Sequence, residues 1–293
     1  MEPTNPANPY EAPVASYAPS TAALDVTRPY LRTASLNNAR EGRYDFRIGE
    51  VMVEAWQLVN GIKASFWAAA AVIGVIYLVL NTICSVTVTL AFGDEPGQFV
   101  TSYFITLTGL VMTPLTTGLF MMGVRRALAA PVSFSTAFSY LSRSGSIIRG
   151  YSLTVLASSL GMLLMVFPII YLRSYSLIVL ASSLGMLLMV FLAIYLAVGF
   201  SLAPQLICDQ ELTAWRAMRT SRRAIHHRWW GVFGLWLAVT VLTILSAFLI
   251  IPLIWTLPWM CTVYGVLYRR IFFSAPPPAM SAPYVNPAGP PPA

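Results

Sequence analysis

His226 and His227 stand side by side and are the only histidines in the chain. Neighbouring residues on a helix point about 100° apart, so these rings are a poor pair for one metal ion and read as a solvated helix face. Cys84, Cys208 and Cys261 are odd in number and far apart, which fits neither a disulfide framework nor a zinc pattern. They read as small buried hydrophobes. Ser158, Ser159, Ser182 and Ser183 would need a base to act as nucleophiles, and none lies near them in sequence. Asp209 and Glu211 suit the start of a helix, where the dipole favours acids, better than a paired-carboxylate site. There is no phosphate-cradling glycine loop, no nucleophile elbow, and no cofactor or metal signature. No catalytic residue is assigned, and a non-enzyme is expected.

The charges say more. An ionisable residue inside a membrane span is a functional candidate by default, yet the long apolar runs carry no Asp, Glu, Lys, Arg or His in their middles. That argues against a proton relay, a voltage sensor and most ion-coupled transport. Asn81, Thr82, Ser85, Thr87 and Thr89 make one run fairly polar, and Thr106, Thr108, Thr113, Thr116 and Thr117 another. They offer either a path for a small solute or hydrogen bonds between helices, and the second is the simpler use. Arg216, Arg219, Arg222, Arg223 and Arg228 crowd into residues 209–228. These five are the candidate contacts to lipid head groups, since bases near an anionic leaflet contribute ~1 kcal/mol each.

The elements that must position these residues are membrane helices. Of 293 residues, 57% are hydrophobic and only 10% charged, and the mean hydropathy is +0.68. Soluble domains carry about 25% charged residues. The apolar runs are continuous rather than alternating, which excludes a transmembrane β-barrel pattern. The net charge of +7 marks a cytoplasmic face rather than a nucleic-acid partner.

At the centre of the chain one stretch is written twice. Residues 151–172 and 175–196 differ only at Thr154/Ile178, Pro168/Leu192 and Ile169/Ala193. Each copy is uncharged and long enough to cross a bilayer, which takes ~20 apolar residues. Each also carries small residues four apart, Ala157 and Gly161, then Ala181 and Gly185. Such faces let helix backbones approach closely, so these four are candidate helix-packing residues, with Ser158 and Ser182 beside them to add a hydrogen bond.

Along the chain, residues 1–45 are punctuated by Pro3 to Pro29, lack the apolar run of a cleavable signal, and are expected to form a disordered cytoplasmic tail. From Ile48, apolar residues recur at helical spacing opposite Glu50, Glu54, Gln57 and Asn60, which predicts an amphipathic helix lying in the interface, with Lys63 near the head groups. Spans follow at about 67–92, 99–124, 150–172, 175–203, 229–250 and 253–273, with a short surface helix near Phe134–Arg143. In the segment 209–228, Trp215, Met218, Ile225 and Trp229 fall on one stripe and Arg222 intrudes on it. Pro258 is expected to kink or locally break the last span. Residues 274–293 form a Pro/Ala-rich tail. The fold class expected is therefore all-α integral membrane: a six-span bundle over residues 46–273, with amphipathic interfacial helices and disordered tails. With both termini cytoplasmic, Arg173 is the one outer-loop base among 18 lysines and arginines, a strong topology signal.

A weaker repeat is also visible. Ala55 precedes Trp67 by 12 residues, as Ala217 precedes Trp229, and Pro114 precedes Arg125-Arg126 by 11, as Pro258 precedes Arg269-Arg270. Each unit reads as an amphipathic helix, a two-span hairpin and an arginine pair. Two-span units keep the same orientation, so these would be parallel repeats of the kind some transporters have.

The stretches IGEVMVEAWQLVNGIKASFW, PLTTGLFMMGVRRAL, APQLICDQELTAWRAMRTSRRAIHHRWWGVFG and LPWMCTVYGVLYRRIF resemble uncharacterised six-span inner-membrane proteins of Gram-negative bacteria. That group is similar to the membrane domain found on some glycerophosphodiester phosphodiesterases. The resemblance covers roughly residues 46–273, and its most specific part is the spacing of Asp209, Ala217, Ser221 and Trp229. It implies a multi-pass protein of the bacterial inner membrane and carries over no active site. The soluble catalytic domain of those phosphodiesterases, rich in acids and histidines, is not in this chain. Two functions from different classes are open at this point. One is a non-catalytic scaffold or modulator whose partners are membrane lipids or another membrane protein. The other is a small-solute or lipid transporter built on parallel repeats.

Overall fold

The computed structural model describes residues 36–93, 97–156, 175–249 and 251–273, and every regular element among them is helical. Residues 36–40 form α1, followed by α2 (Ile48–Val59), α3 (Lys63–Phe92) and α4 (Gln98–Ala127). Two short 3-10 turns, Phe134–Ala137 and Leu141–Arg143, lead into α5, residues 144–156. Then come α6 (Tyr175–Phe200), α7 (Ala203–Asp209), α8 (Ala214–His226), α9 (Trp229–Leu249) and α10 (Leu253–Phe272).

Four stretches are long and apolar enough to cross a membrane: Lys63–Phe92, Tyr103–Ala127, Val179–Asp209 and Trp229–Leu249. They mark a membrane protein and correspond to the first, second, fourth and fifth expected spans. Most of the third, with Ala157 and Gly161, lies outside the described residues. The sixth, α10, is an unbroken 20-residue helix but is not among the four, and its surroundings explain why. Thr256, Trp259, Thr262 and Tyr268 are buried, so its polar and aromatic side chains meet other helices. A helix covered by protein does not need a lipid-like sequence all round.

The closest seam is between α10 and α4. They run parallel: Phe120 meets Tyr264 and the Ala127 carbonyl accepts from Arg269. A Cβ on Gly123 would stand 2.0 Å from the Cys261 carbonyl oxygen, and one on Gly265 would stand 2.2 Å from the Gly123 carbonyl oxygen. Only glycine permits that backbone approach at either position. Pro258, expected to kink or locally break α10, does not interrupt it. A proline has no N–H to give the carbonyl four residues back, and the Ile254 carbonyl it frees accepts the indole N–H of Trp67 at 3.0 Å.

Packing is uneven along the molecule. The main core joins α2, α7, α8, the C-terminal ends of α4, α6 and α10 and the N-terminal half of α9, around Val51, Met121, Leu202, Leu206, Ile225 and Tyr268. Away from it the helices present bare apolar faces: Leu78, Ile83 and Leu90 on α3, Leu187 and Phe191 on α6, Ile244 and Phe248 on α9. The amphipathic pattern of α2 finds a different use from the one expected. Its apolar face, Val51, Ala55 and Val59, is fully buried in this core, and Ile48 abuts Gly234 of α9. Burying each valine contributes ~1.5–3 kcal/mol, and that face is covered by protein rather than by an interface. Residues 36–45, assigned to the tail by composition, also fold back: Ala39 is fully buried, and the Tyr44 hydroxyl donates to the Ala224 carbonyl at 2.6 Å.

Candidate functional site

The packed end of the molecule gathers arginines, and they fall into two sets. The first set is tied down. Arg270 donates to Glu50 (2.9 Å) and to Glu54 (2.9 and 3.2 Å). Arg269 pairs with the same Glu54 carboxylate and with the Ala127 carbonyl. Arg126 reaches the Leu58 carbonyl. These side chains hold α2 against α10 and α4. Charge-assisted bonds of this kind contribute ~1.5–3 kcal/mol each.

The second set lies along α8. The helix is seated by small residues: Ala217, Ser221 and Ala224 are fully buried, and the Ser221 hydroxyl donates to the Gly199 carbonyl of α6 at 2.8 Å. This placement corrects the stripe drawn from the sequence. Met218 and Ile225 are buried as expected, but Trp215 is 59% exposed, and Arg222 faces outward with Arg216, Arg219 and Arg223. Arg219 lies over the Trp215 ring at 5.6 Å. Arg228 is paired with Asp45 at 3.0 Å. Arg222 and Arg223 have no carboxylate partner among the described residues.

A cleft of about 410 Å³ opens where α8 meets α6 and the N-terminal segment. It is lined by Arg40, Tyr195, Arg222, Arg223, His226 and His227, with no Asp or Glu. Arg40 enters on α1. Its Nη2 donates to Thr220 Oγ1 at 2.7 Å, and its carbonyl accepts from His227 Nε2 at 2.9 Å. Its Nε is buried without a hydrogen-bond partner among the described residues. Burial pushes the neighbouring Tyr44 hydroxyl up to about 12, so it remains a neutral donor to α8 at physiological pH. Tyr195, His226 and His227 also line an adjoining recess, with Phe191, Trp229 and Trp230. There Trp229 stacks on Phe233 at 5.0 Å and faces Tyr195 at 5.9 Å.

Of the five predicted arginines, the structure brings Arg222 and Arg223 together in this cleft and puts Arg228 in the aromatic recess beside it. Arg219 lies with Trp215 in a separate groove that also reaches Arg222 and Arg223, and Arg216 lies apart on the exposed helix face. The two histidines, read as a solvated face, form part of the cleft wall. Arg40 and Tyr195 were not legible as site residues. The signal for Arg40 is that no proline stands between Pro29 and Pro96 and that residues 43–47 alternate charge with aromatics. Among the predicted packing residues, Gly185 is buried and Ala181 half-buried on α6, while Ala157 and Gly161 lie outside the described residues. Ser182 has a buried hydroxyl with no hydrogen-bond partner among the described residues.

Thr82 and Thr87 on α3 and Thr108, Thr113, Thr116 and Thr117 on α4 each donate back to a carbonyl of their own helix. No group of three His, Cys, Asp or Glu side chains gathers as a metal site among the described residues. No family model, curated protein or solved structure matches this chain.

Proposed function

We propose that this is a six-span protein of the bacterial inner membrane, with cytoplasmic termini, acting as a non-catalytic, lipid-associated scaffold or modulator. One observation carries the reading. Cationic side chains without carboxylate partners, Arg222 and Arg223, sit beside a cluster of aromatic rings at the packed end, and bare apolar helix faces begin just beyond it. Aromatic rings and basic side chains together favour the boundary between hydrocarbon and an anionic cytoplasmic leaflet. The threonine hydroxyls that donate back within their own helices favour this reading over the transporter alternative.

The sequence repeat also finds support in the packing. Phe120 stands five residues before Arg125, and Tyr264 stands five before Arg269. Their rings meet edge to face with centroids 5.4 Å apart. From the matched spacing and this meeting of counterpart rings we read the α2–α4 and α8–α10 regions as parallel descendants of one unit.

The test is to purify the protein in mild detergent and identify its retained lipids by mass spectrometry. Anionic phospholipid should be enriched over its share of the source membrane, and retention in membrane proportions would overturn the lipid-associated reading. For topology, reporter fusions after Glu95 and Ile251 should read periplasmic, and fusions after Ala130 and Glu211 cytoplasmic. A periplasmic signal after Glu211 would sink the six-span arrangement.

A further inference from the structure

We infer that the cleft between α1, α6 and α8 is a specific site for the head group of an amphiphile ending in a doubly charged phosphate, as a phosphomonoester lipid does. This deepens the lipid-associated reading and rests on it. The polar half of the argument is charge. Arg40, Arg222 and Arg223 line one cavity with two histidines and no carboxylate. The nearby pairs Arg43–Glu41 and Arg228–Asp45 are already neutralised, whereas Arg222 and Arg223 of the cleft have no carboxylate partner among the described residues. Guanidinium groups match phosphate oxygens two at a time, which makes several arginines in one cleft a phosphate recogniser rather than a general cationic patch. Three of them exceed what a singly charged phosphodiester needs and suit a dianion. The Arg40 Nε, buried and without a partner among the described residues, is a donor that a ligand oxygen could satisfy.

The apolar half is continuity. Tyr195, His226 and His227 belong both to the cleft and to the aromatic recess beside it. That recess reaches Phe191, 61% exposed, and the bare face of α6 continues through Leu187 and Leu188. A ligand with its phosphate among the arginines therefore has a wall of rings for its glycerol region and an open helix face for its chains. A soluble phosphate compound would use only the first part.

The full-length protein in detergent is titrated with phosphatidic acid and with phosphatidylglycerol, and binding is read by native mass spectrometry. Two variants with the same charge change on the same helix are compared: Arg222→Gln with Arg223→Gln, and Arg216→Gln with Arg219→Gln. None of the four is buried or ion-paired among the described residues, and melting curves check that both variants stay folded. The cleft variant should lose phosphatidic acid affinity about tenfold or more, the scale of at least one charge-assisted bond. The control variant should stay within about twofold, since exposed charges contribute little, and phosphatidylglycerol should be similarly affected in both. Equal loss in the two variants would overturn the cleft while leaving general anionic-lipid enrichment standing. No loss in either would overturn it too. Glycerol 3-phosphate or inorganic phosphate displacing the lipid at equal concentration would reassign the site to a soluble phosphate. Absence of anionic enrichment in the wild type would bring down the broader reading instead.

Discussion

A single carboxylate, Glu54, receives both Arg269 and Arg270. Its side chain is 23% exposed and that of Arg270 24%, a partly buried setting in which removing one partner leaves the others poorly solvated. Glu54→Gln should lower stability in detergent by ~2–3 kcal/mol, the value of bonds to charged groups, read as a lower melting temperature. Arg270→Gln combined with it should cost less than the sum, because the two share one network. Glu50, 51% exposed, should matter less. The sequence shows these residues but not that they pair. The arginine pair was read as the end of a span and Glu54 as one residue on the polar face of a surface helix. An amphipathic pattern states that a helix has an apolar face, and it is silent on whether lipid or protein covers that face. Arg40 was out of reach for another reason: its site depends on a segment more than 150 residues distant from α8 in sequence.

At the scale of elements, the long helices were legible because lipid demands uninterrupted apolar residues. α3, α4, α6 and α9 follow the expected boundaries to within a few residues. The seat of α8 was not, because it rests on Ala217, Ser221 and Ala224, and a pattern that searches for large apolar residues passes over small ones. Trp215 drew the stripe to the wrong side. The α4–α10 seam makes a sharp prediction. Gly123→Ala and Gly265→Ala each place a methyl group within 2.0–2.2 Å of a carbonyl oxygen, where backbone has to move. Each should destabilise the protein by ~1–3 kcal/mol or more through overpacking. Gly74→Ala and Gly109→Ala, which meet nothing within 4 Å, should melt with the parent. Equal behaviour of the two pairs in a detergent melt would show that α4 and α10 do not cross this closely.

At the scale of the whole molecule, the uneven packing means that the two ends answer to different solvents. The packed end carries its own core, as a water-soluble domain does, and the bare helix faces leave theirs to the hydrocarbon. The joint between α2 and α10 has a further consequence, in the order of synthesis. Among the described elements α2 is made early and α10 last, with about 200 residues between them. At ~5–20 residues per second the ribosome needs ~10–40 s to cover that distance. Through that interval Val51, Ala55 and Val59 have no α10 to cover them, and Glu54 has no arginine pair. The nascent chain therefore holds an unfinished N-terminal half in waiting, and its completion is timed by the arrival of the C-terminal helix. A chain stopped at Ile251 should be cleared by membrane proteases much faster than the full-length protein in a pulse-chase. Supplying residues 252–273 as a separate polypeptide should restore its lifetime; failure to do so would show that the wait ends by some other contact.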